Sequence, residues 1–124
     1  MAKKSPKVKI TGTKPEGTTL CAKIPKTSTS EVLGSKIAFN HRSSAVIETD
    51  VQVVVEPGFK MCFSLTPELS NRGMVATNAP GNFKTGTVFA HVMNVGREIV
   101  EIKTGDPLMN VWLEEDINFS WEGQ

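Results

Sequence analysis

The amino-acid sequence predicts an all-β fold, and three observations support that fold class. Proline and glycine recur at such short intervals that no stretch between them offers a helix of about ten residues or more. The stretches are rich in valine, isoleucine, threonine and phenylalanine, and several alternate apolar with polar residues. Short strands separated by turn signals about every 8–12 residues are typical of a sandwich or barrel.

The pattern predicts five strands within one domain of 124 residues, of which 39% are hydrophobic and 22% charged. The clearest alternation is that of Val51, Val53 and Val55, whose side chains are expected to share one buried face. The predicted strands are Ala45–Glu56, Phe59–Leu65, Thr87–Asn94, Glu98–Lys103 and Leu108–Leu113.

Three dipeptides predict tight turns between these strands. Pro57-Gly58 combines a residue of fixed φ with one that tolerates positive φ. Gly96-Arg97 and Gly105-Asp106 have the same turn character and are candidates for β-hairpins. Each turn is therefore expected to connect two strands that lie close together.

Charge is unevenly distributed, although the net charge is only +1 at pH 7. So small a net charge gives no strong attraction to nucleic acid or to a membrane, and neither is expected as a partner. Residues 1–15 are interpreted as a basic arm, residues 16–114 as the β domain and residues 115–124 as an acidic tail. Either both ends are simply solvated, or each contacts an oppositely charged surface, such as the other end of a neighbouring copy. The candidate contact residues are Lys3, Lys4, Lys7 and Lys9 in the arm, and Phe119 and Trp121 in the tail.

No apolar run approaches the ~18 residues needed to span a membrane, and the start of the chain lacks the apolar core of a secretory signal. Synthesis in the cytoplasm is therefore expected, and Cys21 and Cys62 are interpreted as two free, buried thiols rather than a disulfide. A zinc site that combines both cysteines with His41 and His91 fits no common metal spacing. A polar loop at His41 and a strand position for His91 are preferred over a catalytic triad.

Six short motifs follow one another along the chain: Gly17–Ala22, Pro57-Gly58, Thr66–Met74, Pro80-Gly81, Phe83–Gly86 and Gly105–Val111. Their order resembles that of the dUTPase and dCTP deaminase superfamily. The resemblance covers residues 16–114 and depends on the ordered series rather than on any one motif. It implies a jelly-roll or β-clip barrel that forms a homotrimer around a threefold axis. The last of the six, Gly105–Val111, resembles the fourth motif of the family, in which a glutamine stands at the position of Asn110.

The positions on which the chemistry of that family depends carry other residues in this chain. Thr19 stands where the first motif has an aspartate, and Thr66-Pro67 stands where the second has an arginine and a serine that contact phosphates. Asn82–Thr85 holds no carboxylate where the third motif has the aspartate that orients the attacking water, and the chain has no tyrosine. The aromatic C-terminal arm of the family is also missing. Because hydrolysis needs such a carboxylate, no dUTPase activity, catalytic residue, metal or cofactor is expected. The resemblance leaves a vestigial ligand pocket at Asn82, Lys84 and Asn110.

A scaffold without its catalytic groups suggests a structural role. The leading hypothesis is a phage capsid decoration or cement protein, a trimer that binds the shell through its termini. Such a protein would reside in the virion after synthesis in the host cytoplasm. One alternative is a soluble cytoplasmic pseudoenzyme that binds a nucleotide or regulates a host protein. Another alternative is a diverged nucleotidohydrolase.

Overall fold

The computed structural model describes residues 8–12, 15, 17–24, 36–78, 83–117 and 120–123, and these residues form nine strands and one short helix. The predicted all-β fold class is confirmed. No described helix has the length and apolar character needed to cross a membrane. In chain order the elements are β1 (Val8–Gly12), β2 (Thr19–Lys23), β3 (Lys36–Phe39), β4 (Ser44–Val55), β5 (Phe59–Leu65), α1 (Pro67–Asn71), β6 (Met74–Ala76), β7 (Thr85–Asn94), β8 (Val100–Lys103) and β9 (Pro107–Glu115).

Seven of the strands form one antiparallel sheet in the order β5-β9-β2-β4-β7-β6, and β1 also pairs with β4. Strands β3 and β8 form a separate two-stranded sheet. The large sheet curls until its two end strands, β5 and β6, line opposite sides of one groove. The result is a barrel that is closed except along that groove.

Strand β4 is the longest strand, and its alternation matches the sequence prediction to within one residue at each end. Val51, Val53 and Val55 are buried, whereas the residues between them are exposed. The register between β4 and β7 breaks after Glu48, and there the buried Thr49 donates its hydroxyl to the Val88 carbonyl at 2.8 Å. A side chain thus replaces the strand pairing that the irregularity removes.

The helix α1 was not predicted, because five residues are too few to produce a helical period. Pro67 at its start supplies a favourable φ, and Glu68 places a carboxylate near the positive end of the helix. Leu69 anchors the helix in the core, and the chain then reverses at Gly73, where φ is 94°.

The predicted hairpins at Gly96-Arg97 and Gly105-Asp106 were wrong. Strand β7 pairs with β4 and β6, β8 pairs with β3, and β9 pairs with β2 and β5, so neither turn joins two paired strands. The Pro57-Gly58 turn likewise connects strands that have other partners. A turn sequence determines a local reversal of the chain, but burial of distant apolar faces decides which strands pair.

Strands β1, β2, β3 and β6 were not among the predicted strands. Strand β1 lies within the predicted basic arm and pairs antiparallel with Val51–Val55 of β4.

Both thiols are free, as expected, and Cys62 is buried. Cys21 is exposed, however, because it lies on the outward side of β2. The prediction that both thiols are buried was therefore wrong for Cys21.

Candidate functional site

A row of three polar side chains crosses the outer face of β2, β9 and β5. Asn110 lies directly opposite Thr19 on one side and Ser64 on the other, and residues directly opposite one another share a face. The Thr19 hydroxyl donates to the Asn110 side-chain oxygen at 2.7 Å. The two positions that the resemblance assigned to the first and fourth motifs are therefore brought into contact. Neither side chain is a carboxylate, and Ser64 beyond them is neutral too.

The same face continues toward the end of β9 with a tryptophan, a thiol and a carboxylate. Trp112 lies directly opposite Cys62. The Trp112 indole N–H and the Cys62 thiol both donate to the Glu114 carboxylate, at 3.2 and 3.3 Å. We call this surface the polar face; its members are Thr19, Cys62, Ser64, Asn110, Trp112 and Glu114.

These contacts determine the charge of the two ionisable groups on the polar face. The hydrogen bond from Trp112, together with that from Cys62, lowers the pKa of Glu114. Burial raises the pKa of Cys62, and the hydrogen bond to Glu114 and its charge raise it further. The carboxylate is thus an ionised acceptor with its oxygens engaged, and the thiol stays protonated. Neither is prepared to act as a base or a nucleophile.

Lys84 lies beyond the Glu114 end of the polar face. Its ammonium forms an ion pair with Asp116, and this pairing lowers the pKa of Asp116. Asp116 lies six residues beyond Asn110, which corresponds to roughly 20 Å along an extended strand. One chain therefore keeps Lys84 apart from Asn110, and Asn82 lies outside the described residues. That these three share a ligand pocket stays a prediction, one that needs a second subunit.

The groove between β5 and β6 has a volume of about 350 Å³ and a mainly apolar lining. Asn78 stands at its rim, but its side chain binds β7. Its oxygen accepts from the His91 amide at 2.8 Å, and its nitrogen donates to the Phe89 carbonyl at 3.4 Å. Nothing in the sequence indicated this groove, because it forms where two distant strand edges meet.

Thr66 and Pro67, at the position where the resembled family contacts phosphates, stabilise the local backbone. The Thr66 amide donates to the Leu108 carbonyl at 3.1 Å, and Pro67 begins α1. Within the described ranges, no group of three or more histidine, cysteine, aspartate or glutamate side chains could hold a metal ion. The described residues at this position thus accept and donate backbone hydrogen bonds and begin a helix.

Two of the six predicted contact residues in the arm and tail, Lys9 and Trp121, are among the described residues. Lys9 is exposed on β1 opposite Val54, and Trp121 is 91% exposed. Lys3, Lys4, Lys7 and Phe119 lie outside the described residues. The structure therefore identifies where the arm enters the barrel, and the roles of these side chains stay predictions.

The same barrel is found in solved dUTPase structures. The EIAV dUTPase has a TM-score of 0.69 at 14% identity, over 95% of this chain and 96% of that chain. A mutant dUTPase of Staphylococcus bacteriophage 80alpha with dUpNHpp has a TM-score of 0.71 at 11% identity, over the same shares. A mutant dUTPase of phage phi11 of S. aureus has a TM-score of 0.65 at 12% identity, also over 95% and 96%. No protein-family model matches the sequence, and no curated protein matches it. The chain has a dUTPase-like fold, as the motif order had indicated.

Proposed function

We propose that this chain is a non-catalytic protein with a dUTPase-like fold, a homotrimer that decorates a phage capsid. The observation that carries the proposal is the hydrogen bond between Thr19 and Asn110 on a row without a carboxylate. Phage dUTPases are among the solved structures with the same fold, which supports a phage origin for the scaffold.

The chemistry of the described residues supports binding rather than hydrolysis. Attack of water on a phosphoanhydride needs a carboxylate that orients the water or holds a metal ion. Glu114 on the polar face is engaged by Trp112 and Cys62, and Asp116 is engaged by Lys84. No carboxylate among the described residues stands beside the Thr19–Asn110 pair in the row where such chemistry would occur.

Exposed apolar side chains near the end of β9 support self-association. Trp112 is 42% exposed, and Ile117, just beyond the strand, is 73% exposed. Large apolar groups that stay in water in one chain are commonly buried by another. A neighbouring copy that covers this surface would also provide contacts for Trp121. In this proposal the basic arm, which precedes β1 in sequence, binds the shell.

The trimer is tested first by sedimentation velocity, which is expected to give three times the mass of one chain. Attachment is tested by co-sedimentation of the protein with capsid shells of the phage that encodes it. Because β1 belongs to the barrel, the arm is best neutralised by the triple change Lys3→Gln, Lys4→Gln and Lys7→Gln rather than by deletion. We expect a trimer that attaches, and weaker attachment of the triple variant at an unchanged Tm. Failure of the wild-type protein to attach overturns the proposal.

A nucleotide-binding pseudoenzyme is the second candidate, and two observations favour it. The 80alpha dUTPase structures contain dUpNHpp, and this chain has a groove of about 350 Å³ between β5 and β6. Calorimetry with dUTP, dCTP and cyclic nucleotides separates the two candidates. Decoration predicts no heat of binding, whereas saturable binding of one nucleotide would support the pseudoenzyme.

A further inference from the structure

All three arginines of the chain lie at one end of the barrel, although they are far apart in sequence. Arg42 is in the turn between β3 and β4, Arg72 follows α1, and Arg97 is in the loop between β7 and β8. Exposed Val95 and Ile99 flank Arg97 in the same loop. We call this region the arginine end; it comprises His41, Arg42, Arg72, Val95, Arg97 and Ile99.

Backbone contacts hold the three turns together. The Arg42 amide donates to the Asn94 carbonyl at 2.6 Å, and the Val95 amide donates to the Gly73 carbonyl at 2.9 Å. Gly73 and Gly96 touch, since a Cβ on Gly73 would lie 2.8 Å from the Cα and N atoms of Gly96. The three arginines therefore start from a rigid base and share one surface.

The side chains on this surface have no charged partner in the described part of the chain. Arg42, Arg72 and Arg97 are exposed, and none forms an ion pair with a described carboxylate. Glu98 follows Arg97 in the chain, and Glu68, Glu101 and Asp106 line one cleft with Arg72, but none of these carboxylates forms an ion pair with an arginine. Between the charges, Val95 is 50% and Ile99 is 61% exposed. Unpaired arginines around exposed apolar side chains are characteristic of the energetically important part of a protein interface.

Arg42 has an unusual backbone conformation. Among the described residues it is the one non-glycine residue with a positive φ, 68°. Glycine or asparagine adopts this conformation more easily than arginine does. The turn by itself would thus be at least as stable with glycine, and residues held at such a cost are often found where a ligand is gripped.

We propose that the arginine end is a binding surface for a segment of another protein that carries carboxylates next to apolar side chains. Arg42 is its anchor, because a guanidinium can bind a carboxylate through two parallel hydrogen bonds. A nucleic acid fits less well, since the exposed Val95 and Ile99 would face a phosphate backbone that offers them no apolar contact. The surface is separate from the polar face, and the inference does not depend on the proposed capsid role.

The test uses random 12-residue peptides displayed on a library and selected on the immobilised full-length protein. The recovered peptides are then titrated against wild type, Arg42→Gly, and Arg72→Gln with Arg97→Gln. The matched control is Lys23→Gln, which removes a positive charge from an exposed site on the barrel wall. A labelled 20-base-pair DNA duplex is titrated in parallel.

We expect recovered peptides with at least two carboxylates beside an apolar residue. Their affinity should fall about tenfold or more in Arg42→Gly and in the double variant, and should not change in Lys23→Gln. The Tm of Arg42→Gly should equal or exceed that of wild type, so that lost binding is not lost folding. Peptides without carboxylates, or equal affinity for Arg42→Gly and wild type, would overturn the proposal. Duplex binding that is tighter than peptide binding and lost in Arg42→Gly would overturn it in favour of a phosphodiester partner.

Discussion

Two asparagines on strands of the large sheet illustrate how different two polar positions can be. Asn110 on the polar face is half-buried, and its side-chain oxygen accepts from the side chain of Thr19. Asn94 at the arginine end is fully buried and binds backbone atoms of separate segments. The Asn94 side chain donates to the carbonyls of Phe39 and Glu98 and accepts from the amide of Gly96. A side chain that binds backbone atoms from several loops fixes those loops, whereas one that binds a neighbouring side chain only satisfies a surface.

The largest expected difference in the free energy of unfolding is between Asn94→Asp and Asn110→Asp. In Asn94→Asp an oxygen replaces the nitrogen that faces two carbonyls, and a charge is buried without a partner. We expect a loss of roughly 3–5 kcal/mol in the free energy of unfolding. In Asn110→Asp the Thr19 hydroxyl can still donate to the new carboxylate, so the loss should stay below about 1 kcal/mol. Urea unfolding followed by tryptophan fluorescence measures both, and similar losses would contradict the contrast.

The next largest effect is expected at the contact between Gly73 and Gly96. Gly73→Ala adds a methyl group against the Gly96 backbone at a positive φ, and about 2–4 kcal/mol should be lost. Gly58→Ala is a matched control, since Gly58 has a φ of 92° and open space around it. Only the cost of the backbone conformation, about 1–2 kcal/mol, is expected there. If alanine at the two sites has the same effect on Tm, the close contact does not stabilise the arginine end.

A smaller effect is expected on the polar face from Thr19→Val. The change removes the hydroxyl that donates to Asn110 but keeps the shape of the side chain. Because water can reach Asn110, the loss should be within about 1 kcal/mol. Thr49→Val is the comparison in the core, where the buried Val88 carbonyl would lose its donor and about 1–3 kcal/mol should be lost. Equal losses in urea unfolding would mean that the polar face is as rigid as the core.

The smallest expected effect is the contribution of Glu114 to the change in stability at acidic pH. The pKa of Glu114 is lowered below its ordinary value of 4.5, so the unfolded chain takes up this proton first as the pH falls. The contribution of Glu114 is therefore present above pH 4.5 and is lost as the pH falls through its pKa in the folded protein. Trp112→Phe removes the N–H that is the main cause, and it should raise the pKa of Glu114 as measured by carbon NMR of the carboxyl group. An unchanged pKa would show that the indole does not bind the carboxylate in solution.

Much of the fold was predictable because alternation reports burial directly. Strand β5 has the predicted bounds, Phe59–Leu65, and β4 is displaced by one residue. Strand β6 has three residues, too few to show a period, whereas β1, β2 and β3 were missed although each has four or five residues. The partners of each strand were not predictable, because turn residues such as Gly105-Asp106 do not specify where the next strand pairs.

The polar face and the arginine end also differ in how far the sequence pointed to them. The resemblance drew attention to Thr19 and Asn110 separately, and the structure joins them by a hydrogen bond. The arginine end could not be predicted, since Arg72 and Arg97 are brought to one end of the barrel where Gly73 and Gly96 touch, and Arg42 is held there by a backbone hydrogen bond to Asn94. A single sequence gives no sign of such a close backbone contact.

The central claim, a dUTPase-like barrel without dUTPase chemistry, is tested most directly by incubating the purified protein with dUTP and Mg²⁺ and measuring pyrophosphate release. The polar row of Thr19, Ser64 and Asn110 predicts no release above a blank without protein, at any protein concentration. Release that increases with protein concentration and is lost in Asn110→Ala would contradict the claim, because it would show that the neutral row still supports turnover.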